Sequence, residues 1–268
     1  MIVAGASVQG TGHLAAGQGC QDAFKAVESG DTVVLAVADG AGGRERSALG
    51  AHLAVDTACR VLAEDVPGPQ DPPETWTRWI AETGARVVAD HRRAVGSLLA
   101  ATTPDRPVDA GALAATLAAA VVRPPWAAFV SVGDCFGTVL TREPAGTDPA
   151  ERCHLVLPPP APGGPGPVFL SSPGAALRTR TFVVWEPHLS GVVLATDGCA
   201  ALTLDHPSVH RLPPHAGPLP SARFFGGLAA TLRDNGGDAE PLRALLSGPQ
   251  AARSGDDLTV LCALTDGG

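Results

Sequence analysis

Residues 33–43 read VVLAVADGAGG: six consecutive apolar residues, then Asp39 and a run of glycines interrupted only by Ala41. An unbroken run of small and β-branched apolar side chains matches a strand buried on both faces. Asp39-Gly40 closes it, and the glycines that follow permit a tight turn with positive φ. Helical periodicity begins directly after this turn. Arg46–Glu64 places Leu49, Leu53, Val55, Ala58, Val61 and Leu62 largely on one stripe, and Thr75–Leu99 does the same with Trp76, Trp79, Ile80, Val87, Val88 and Val95. The intervening DVPGPQDPP, residues 65–73, is too rich in proline to continue a helix, so an antiparallel helix pair is predicted.

Further along, Ala112–Val122, Ala127–Val132 and Phe136–Thr141 are β-like runs separated by Arg123-Pro124-Pro125 and by Gly133-Asp134. They predict a meander of adjacent strands, although Ala114–Ala120 is ambiguous by propensity. Arg142–Ser172 carries the least structural signal, and PPPAPGGPGP at 158–167 suits a loop, an insert or a domain boundary better than a buried strand. Thr181–Trp185 and Val192–Thr196 then read as strands, Ser221–Arg233 and Pro241–Leu246 as helices, and Leu258–Leu264 as a closing strand. Separate helical and strand blocks predict an α+β layered architecture and argue against a doubly wound sheet.

Composition narrows the function classes. A chain of 268 residues has room for one large domain or two small ones, and its 32 glycines and 25 prolines fall short of a disordered composition. Acidic residues outnumber basic ones for a net charge of −8, and Lys25 is the only lysine, which speaks against nucleic acid and against an anionic membrane as partners. Met1–Phe24 holds no Lys or Arg, unlike a secretory leader, and the longest near-apolar run, Gly111–Val122, is too short to span a bilayer. A soluble, cytoplasmic protein is expected. The six cysteines are scattered with no CxxC or zinc-type spacing, so reduced, buried thiols are expected.

The distinctive feature is the position of the aspartates. Four apolar strand candidates begin or end at an Asp beside Gly or another Asp: Val33–Asp39, Ala127–Asp134, Val192–Asp197, and the strand that follows Asp256-Asp257. Carboxylates delivered to one rim of a sheet repel one another unless cations neutralise them. Oxygen ligands without His or Cys select Mg²⁺ or Mn²⁺ over zinc. No GK[ST] phosphate loop, GxSxG elbow or HExxH helix is present, so nucleotide-binding, acyl-hydrolase and zinc-protease chemistry lack their defining residues.

As an ordered set, GCQDAF (19–24), VVLAVADGAGG (33–43), AATLAAAVV (114–122), VSVGDCFGTVL (130–140), VVLATDGCAAL (192–202) and GDDLTVLCAL (255–264) resemble the metal-dependent protein phosphatases of the PP2C type. The resemblance implies a four-layer αββα sandwich, two antiparallel β-sheets flanked by antiparallel helix pairs. It implies one domain over residues 1–268, with a Pro/Gly-rich, variable, flap-like segment at about 142–190. It further implies serine/threonine phosphatase activity with two Mg²⁺ or Mn²⁺ ions and a weaker site for a third, a water activated between the ions being the nucleophile. By the same resemblance Asp39 bridges the two ions and is catalytic, Gly40 offers its backbone carbonyl, and Asp197 and Asp256 are further ligands. Asp22 holds the site through a bound water, Gln21 stands where many relatives carry an acid, and Asp134 with Asp197 forms the weaker third site. Gln21, Thr116 and Asp257 remain open between site and structural roles. The implied partner is a phosphoprotein, such as a cognate serine/threonine kinase or its target.

Two departures stand out. Many relatives carry a phosphate-binding arginine five residues before the first-motif aspartate, and here that position is Gly17. His13, Arg44 and Arg46 are the candidates to replace it from nearby loops. The residue after Asp39-Gly40 is often a histidine assigned as general acid, and here it is Ala41. Missing acid catalysis is tolerable for an aryl phosphate but slows a phosphoserine ester, since such help is worth about 10²–10⁴-fold. The alternatives are a catalytically weak or inactive PP2C-like regulatory binding module, or a phosphatase for small-molecule phosphoesters.

Overall fold

A computed structural model describes residues 1–44, 46–102, 109–142, 151–160 and 166–265 of the chain. The first elements are β1 (Ile2–Val8), a short helical turn α1 (Thr11–Ala15), and the hairpin β2 (Asp22–Ser29) and β3 (Thr32–Asp39). Helices α2 (Ser47–Leu62) and α3 (Pro73–Thr102) follow. Then come β4 (Leu117–Arg123), β5 (Trp126–Val132), β6 (Phe136–Arg142), β7 (Glu151–Leu157), β8 (Arg180–Trp185) and β9 (Leu189–Ala195). The last part holds the turn α4 (Ala200–Thr203), the short strands β10 (Leu204–Asp205) and β11 (Leu219–Pro220), helices α5 (Ala222–Asp234) and α6 (Glu240–Leu246), and β12 (Leu258–Leu264).

Two five-stranded antiparallel sheets, ordered β2-β3-β4-β5-β8 and β1-β12-β9-β6-β7, carry the molecule. Period-two alternation divides β3 between two cores. Val33, Leu35 and Val37 pack between the sheets against Val139, Leu194 and Leu261. Val34, Ala36 and Ala38 face Val55 and Leu62 of α2 and Trp76 and Ile80 of α3. On the far side, Val260, Cys262 and Leu264 of β12 pack against Phe225 and Leu228 of α5 and Leu242 of α6. The layers are thus helix, sheet, sheet, helix, the sandwich that the resemblance implies. Burial on both faces explains why β3 reads as an uninterrupted apolar run.

The Arg60–Asp90 ion pair at 3.0 Å and the Arg86–Glu64 ion pair set α2 and α3 antiparallel. Trp76 stacks on Trp126 of β5 with centroids 5.3 Å apart, and their ring N–H groups donate to Gly68 O and Pro69 O, which pins the Pro-rich connection to the sheet. Truncating a buried tryptophan of this kind costs about 3–5 kcal/mol.

The predicted three-strand meander is corrected. β4 and β5 pair, but β6 lies in the other sheet between β9 and β7. The turn at Gly133, φ 101°, carries the chain from one sheet to the other. Ala112 does not begin a strand: Ala110–Leu113 is a 3₁₀ turn, and pairing starts at Leu117. Arg142–Ser172 is also more structured than its composition predicts, because β7 lies within it. Within the flap-like stretch 142–190, β7 and β8 supply one edge strand to each sheet, and residues 143–150 and 161–165 lie outside the described residues. Among the described residues no helix is long and apolar enough to cross a membrane. All six cysteines are free.

Candidate metal centre

Strand register gathers the aspartates at one rim of the sandwich. The β2–β3 pairing sets Asp22 opposite Asp39. Thr116, just before β4, grips the Asp39 backbone: its N–H donates to Asp39 O at 2.8 Å, and its Oγ1 accepts from Asp39 N at 3.2 Å. Asp134 follows the Gly133 turn at the end of β5. From the second sheet, Thr196 N–H donates to Thr259 O and Thr259 N–H to Thr196 Oγ1, both at 3.1 Å, which sets Asp197 beside Asp256-Asp257. As a result, carboxylate oxygens of Asp39, Asp134 and Asp197 lie within 4.8 Å of one another.

The close approach shows in their acidity. Burial pushes the Asp39 carboxyl up to about 9, with further push from the charges of Asp22, Asp197, Asp256 and Asp134. Asp197 is raised to about 6 by burial and by Asp134 and Asp256. Asp22 rises to about 7 through burial, opposed by the hydrogen bond that Thr196 Oγ1 donates to its Oδ2 at 2.7 Å. Asp134 is raised by burial, and its Oδ1 is buried without a hydrogen-bond partner. Acids so arranged stay ionised only beside cations. The converging oxygen ligands and the orphaned Oδ1 fit a hard divalent cation.

Asp256 stands outside this tight trio. Its Oδ1 accepts from Asp257 N at 2.9 Å, while its charge reaches Asp39, Asp134 and Asp197. Asp257 is a brace: Oδ1 accepts from Gly10 N and Oδ2 from Gln21 N, each at 2.6 Å. His13 Nδ1 lies 2.9 Å from the same Oδ2, which places this histidine beside the brace. Gly40 sits where only glycine fits, since a Cβ there would lie 2.7 Å from the Ser47 carbonyl carbon and oxygen and 2.8 Å from Gln21 O. Gly198 is tighter still, its added Cβ falling 2.0 Å from Asp257 O. Ala41 is buried and offers no proton donor, and Gly17 has open space around it. Arg46 Nη1 donates to Thr102 Oγ1 at 3.3 Å, which turns that cation toward the end of α3.

Two further residues shape the site, one inside the VVLATDGCAAL motif and one outside every motif. Thr196 orients Asp22, as above. Arg180 donates from Nη2 to Ser131 Oγ at 3.0 Å and Gly133 O at 3.4 Å and from Nη1 to Pro158 O at 3.2 Å, and its charge acts on Asp134. The Arg178-Thr179-Arg180 stretch ahead of an apolar strand run gives no local sign of which arginine faces the turn.

Comparison with known proteins agrees with this geometry. The family model described as Protein phosphatase 2C matches residues 9–247. No curated protein sequence matches the chain. Among solved structures, a bacterial serine phosphatase superposes with TM-score 0.59 at 11% identity, over 100% of this chain and 99% of that one. Serine-threonine phosphatase 2C from Toxoplasma gondii gives TM-score 0.61 at 16% identity, covering 98% and 94%. Serine/threonine phosphatase Stp1 from Staphylococcus aureus gives TM-score 0.56 at 13% identity, covering 100% and 96%. These likenesses establish a shared fold at low identity, and the family match spans most of the sequence. On that evidence the chain belongs to the protein phosphatase 2C family of phosphatases.

Proposed function

We propose that the chain is a divalent-metal-dependent phosphoprotein phosphatase that hydrolyses phosphoserine and phosphothreonine esters. The observation that carries this reading is the convergence of Asp39, Asp134 and Asp197 within 4.8 Å. In this reading Asp39, Asp197, Asp256 and the Gly40 carbonyl would hold Mg²⁺ or Mn²⁺, Asp22 would act through a bound water, and Asp134 with Asp197 would hold a further ion. When bound, such ions supply an activated water nucleophile and offset charge on the phosphoryl oxygens. The chain's own residues set the geometry: Thr116 fixes the Asp39 backbone, Thr196 orients Asp22, and Arg180 ties the Gly133-Asp134 turn to Ser131 and Pro158. No side chain at Ala41 protonates the leaving oxygen, so aryl phosphates are the faster substrates. Free cysteines throughout support a reducing, cytoplasmic setting, where a serine/threonine kinase or its target is the fitting phosphoprotein.

Hydrolysis of a generic aryl phosphate by the purified chain, titrated with Mn²⁺, tests this. Saturable turnover that is lost in EDTA and in Asp197→Asn is expected. A folded protein with no turnover would instead make Gly17 and Ala41 the marks of a binding module.

A further inference from the structure

Helix α5 carries a stripe that the fold leaves uncovered. Its apolar positions Phe224, Phe225, Leu228, Ala229 and Leu232 are buried against the β1-β12-β9-β6-β7 sheet and against α6. Steps of four, three and four residues from Arg223 lead to Gly227, Ala230 and Asp234, and all four are exposed. Such steps stay on one side of a helix with 3.6 residues per turn and are the spacing of a helix–helix seam. Beside the stripe a groove of about 450 Å³ runs between α5 and α6, floored by Phe224, Leu228 and Leu242 and edged by Leu245, which is 45% exposed.

Nothing within the chain accounts for the residues on this stripe. Arg223, the second residue of α5, and Asp234, the last, stand at the ends where the helix's own dipole disfavours their charges. Neither makes an ion pair among the described residues. Gly226 and Gly227 lie mid-helix, where glycine weakens a helix, yet a Cβ on either would meet nothing within 4 Å outside its own helix backbone. The stripe is, however, complementary to itself. Against an antiparallel copy, Arg223 meets Asp234 of the partner subunit and Gly227 meets Ala230 of the partner subunit. Each charge then also faces the dipole end of opposite sign on the neighbouring helix. Small residues at the centre let the two backbones come close.

We propose that α5 is a self-association surface, through which two copies of the chain pair about a two-fold axis with their α5 helices antiparallel. Charge complementarity selects this occupant. A wholly basic or wholly acidic segment would satisfy one end of the stripe and be repelled by the other, and a parallel copy would set like charges together. The partner helix also covers Leu245 at the edge of the groove. Thirteen residues make a seam of about 20 Å, so the interface is small and the dimer is of about micromolar affinity or weaker. This pairing holds whether or not the chain is a phosphatase.

Sedimentation equilibrium of the full chain, up to about 500 µM, gives the dimer Kd for the parent, Arg223→Asp, Asp234→Arg, the double exchange of the two, and Gly227→Glu. Circular dichroism checks each for an intact fold. Each single reversal should raise the Kd about 10-fold or more, since in a two-fold dimer it turns two attractive pairs repulsive. Both reversals suit the helix dipole better than the parent residues do, so a lost dimer cannot be put down to a lost helix. Gly227→Glu should weaken the dimer similarly by blocking the close approach. The double exchange should restore the Kd to within about 3-fold of the parent, and the two single variants, once mixed, should pair with each other more tightly than either pairs with itself. A parent chain that stays monomeric throughout overturns the proposal. So does a dimer that tolerates the reversals, or a double exchange that fails to restore it.

Discussion

Replacing Asp197 by asparagine should stabilise the metal-free protein and abolish its response to Mn²⁺. The Asp197 carboxyl titrates near 6 in the folded chain against an ordinary 3.8, because burial and then Asp134 and Asp256 disfavour its charge. A raised carboxyl pKa means that the group's favourable contribution is complete below about pH 4 and is lost as pH rises through about 6. Above that, ionising the folded chain costs about 3 kcal/mol more than ionising the unfolded one, and partial solvation of the side chain brings the figure to about 1–3 kcal/mol. Asparagine keeps the shape and removes the charge. At about 2–4 °C per kcal/mol for a chain of this size, the EDTA-treated variant should melt about 2–10 °C above the parent near neutral pH, and the gap should close toward pH 4. Mn²⁺ reverses the order: at 100 times its Kd it adds about 2.7 kcal/mol to the parent, and far less to a variant short of one carboxylate. Melting temperatures at the two pH values, with EDTA and with Mn²⁺, measure all of this. If the variant in EDTA melts below the parent near neutral pH, or gains from Mn²⁺ as the parent does, charge repulsion at a metal site is the wrong account of the cluster.

Three further substitutions probe the framework. Gly40→Ala places a methyl 2.7 Å from the Ser47 backbone and 2.8 Å from Gln21 O, so the Asp39 turn must shift, with a loss of about 1–3 kcal/mol in denaturant titrations and a weaker Mn²⁺ response. Asp257→Ala removes the acceptor for Gly10 N and Gln21 N, both 2.6 Å away, and should cost about 2–4 kcal/mol by the same titrations; an unchanged midpoint would show that the brace is dispensable. His91, fully buried on α3, is pushed down to about 4 by desolvation. Being neutral when folded, it favours the fold above its ordinary 6.5, and that stability is lost as pH falls toward 4, by up to about 3 kcal/mol. His91→Leu should therefore flatten the acid limb of a urea stability profile between about pH 6.5 and 4, and an unaltered slope would assign acid lability elsewhere.

How much of this was legible depends on where the information lies. Strands buried on both faces announce themselves as apolar runs, and β12 spans Leu258–Leu264, the bounds read from sequence. Helices α2 and α3 fall within three residues of their predicted limits, because amphipathic periodicity and the Pro-rich break are local properties. β7 escaped notice because it is an edge strand studded with Glu151, Arg152 and His154, and Glu151 is held by Arg233 through bonds of 2.8 and 3.1 Å that no local pattern records. The sheet to which β6 belongs was equally hidden, since apolar alternation specifies a strand and says nothing of its neighbour.

The acidic turns divide in the same way. That Asp39, Asp134, Asp197 and Asp256 sit at strand ends beside Gly or Asp is written in the sequence, and their common chemistry follows from it. Which oxygens converge is a property of register across two sheets: Asp39, Asp134 and Asp197 meet, while Asp256 turns to its neighbour's N–H. Thr196 finds Asp22 across 174 residues of chain, and Arg180 finds the Gly133 turn across 47. Residue identity and local periodicity therefore determined most element types, the α+β layering and the acidic character of the site, while the αββα class was implied by the motif resemblance. Only tertiary packing decided which carboxylates share a charge and which side chains brace them, because each depends on contacts between segments far apart in sequence.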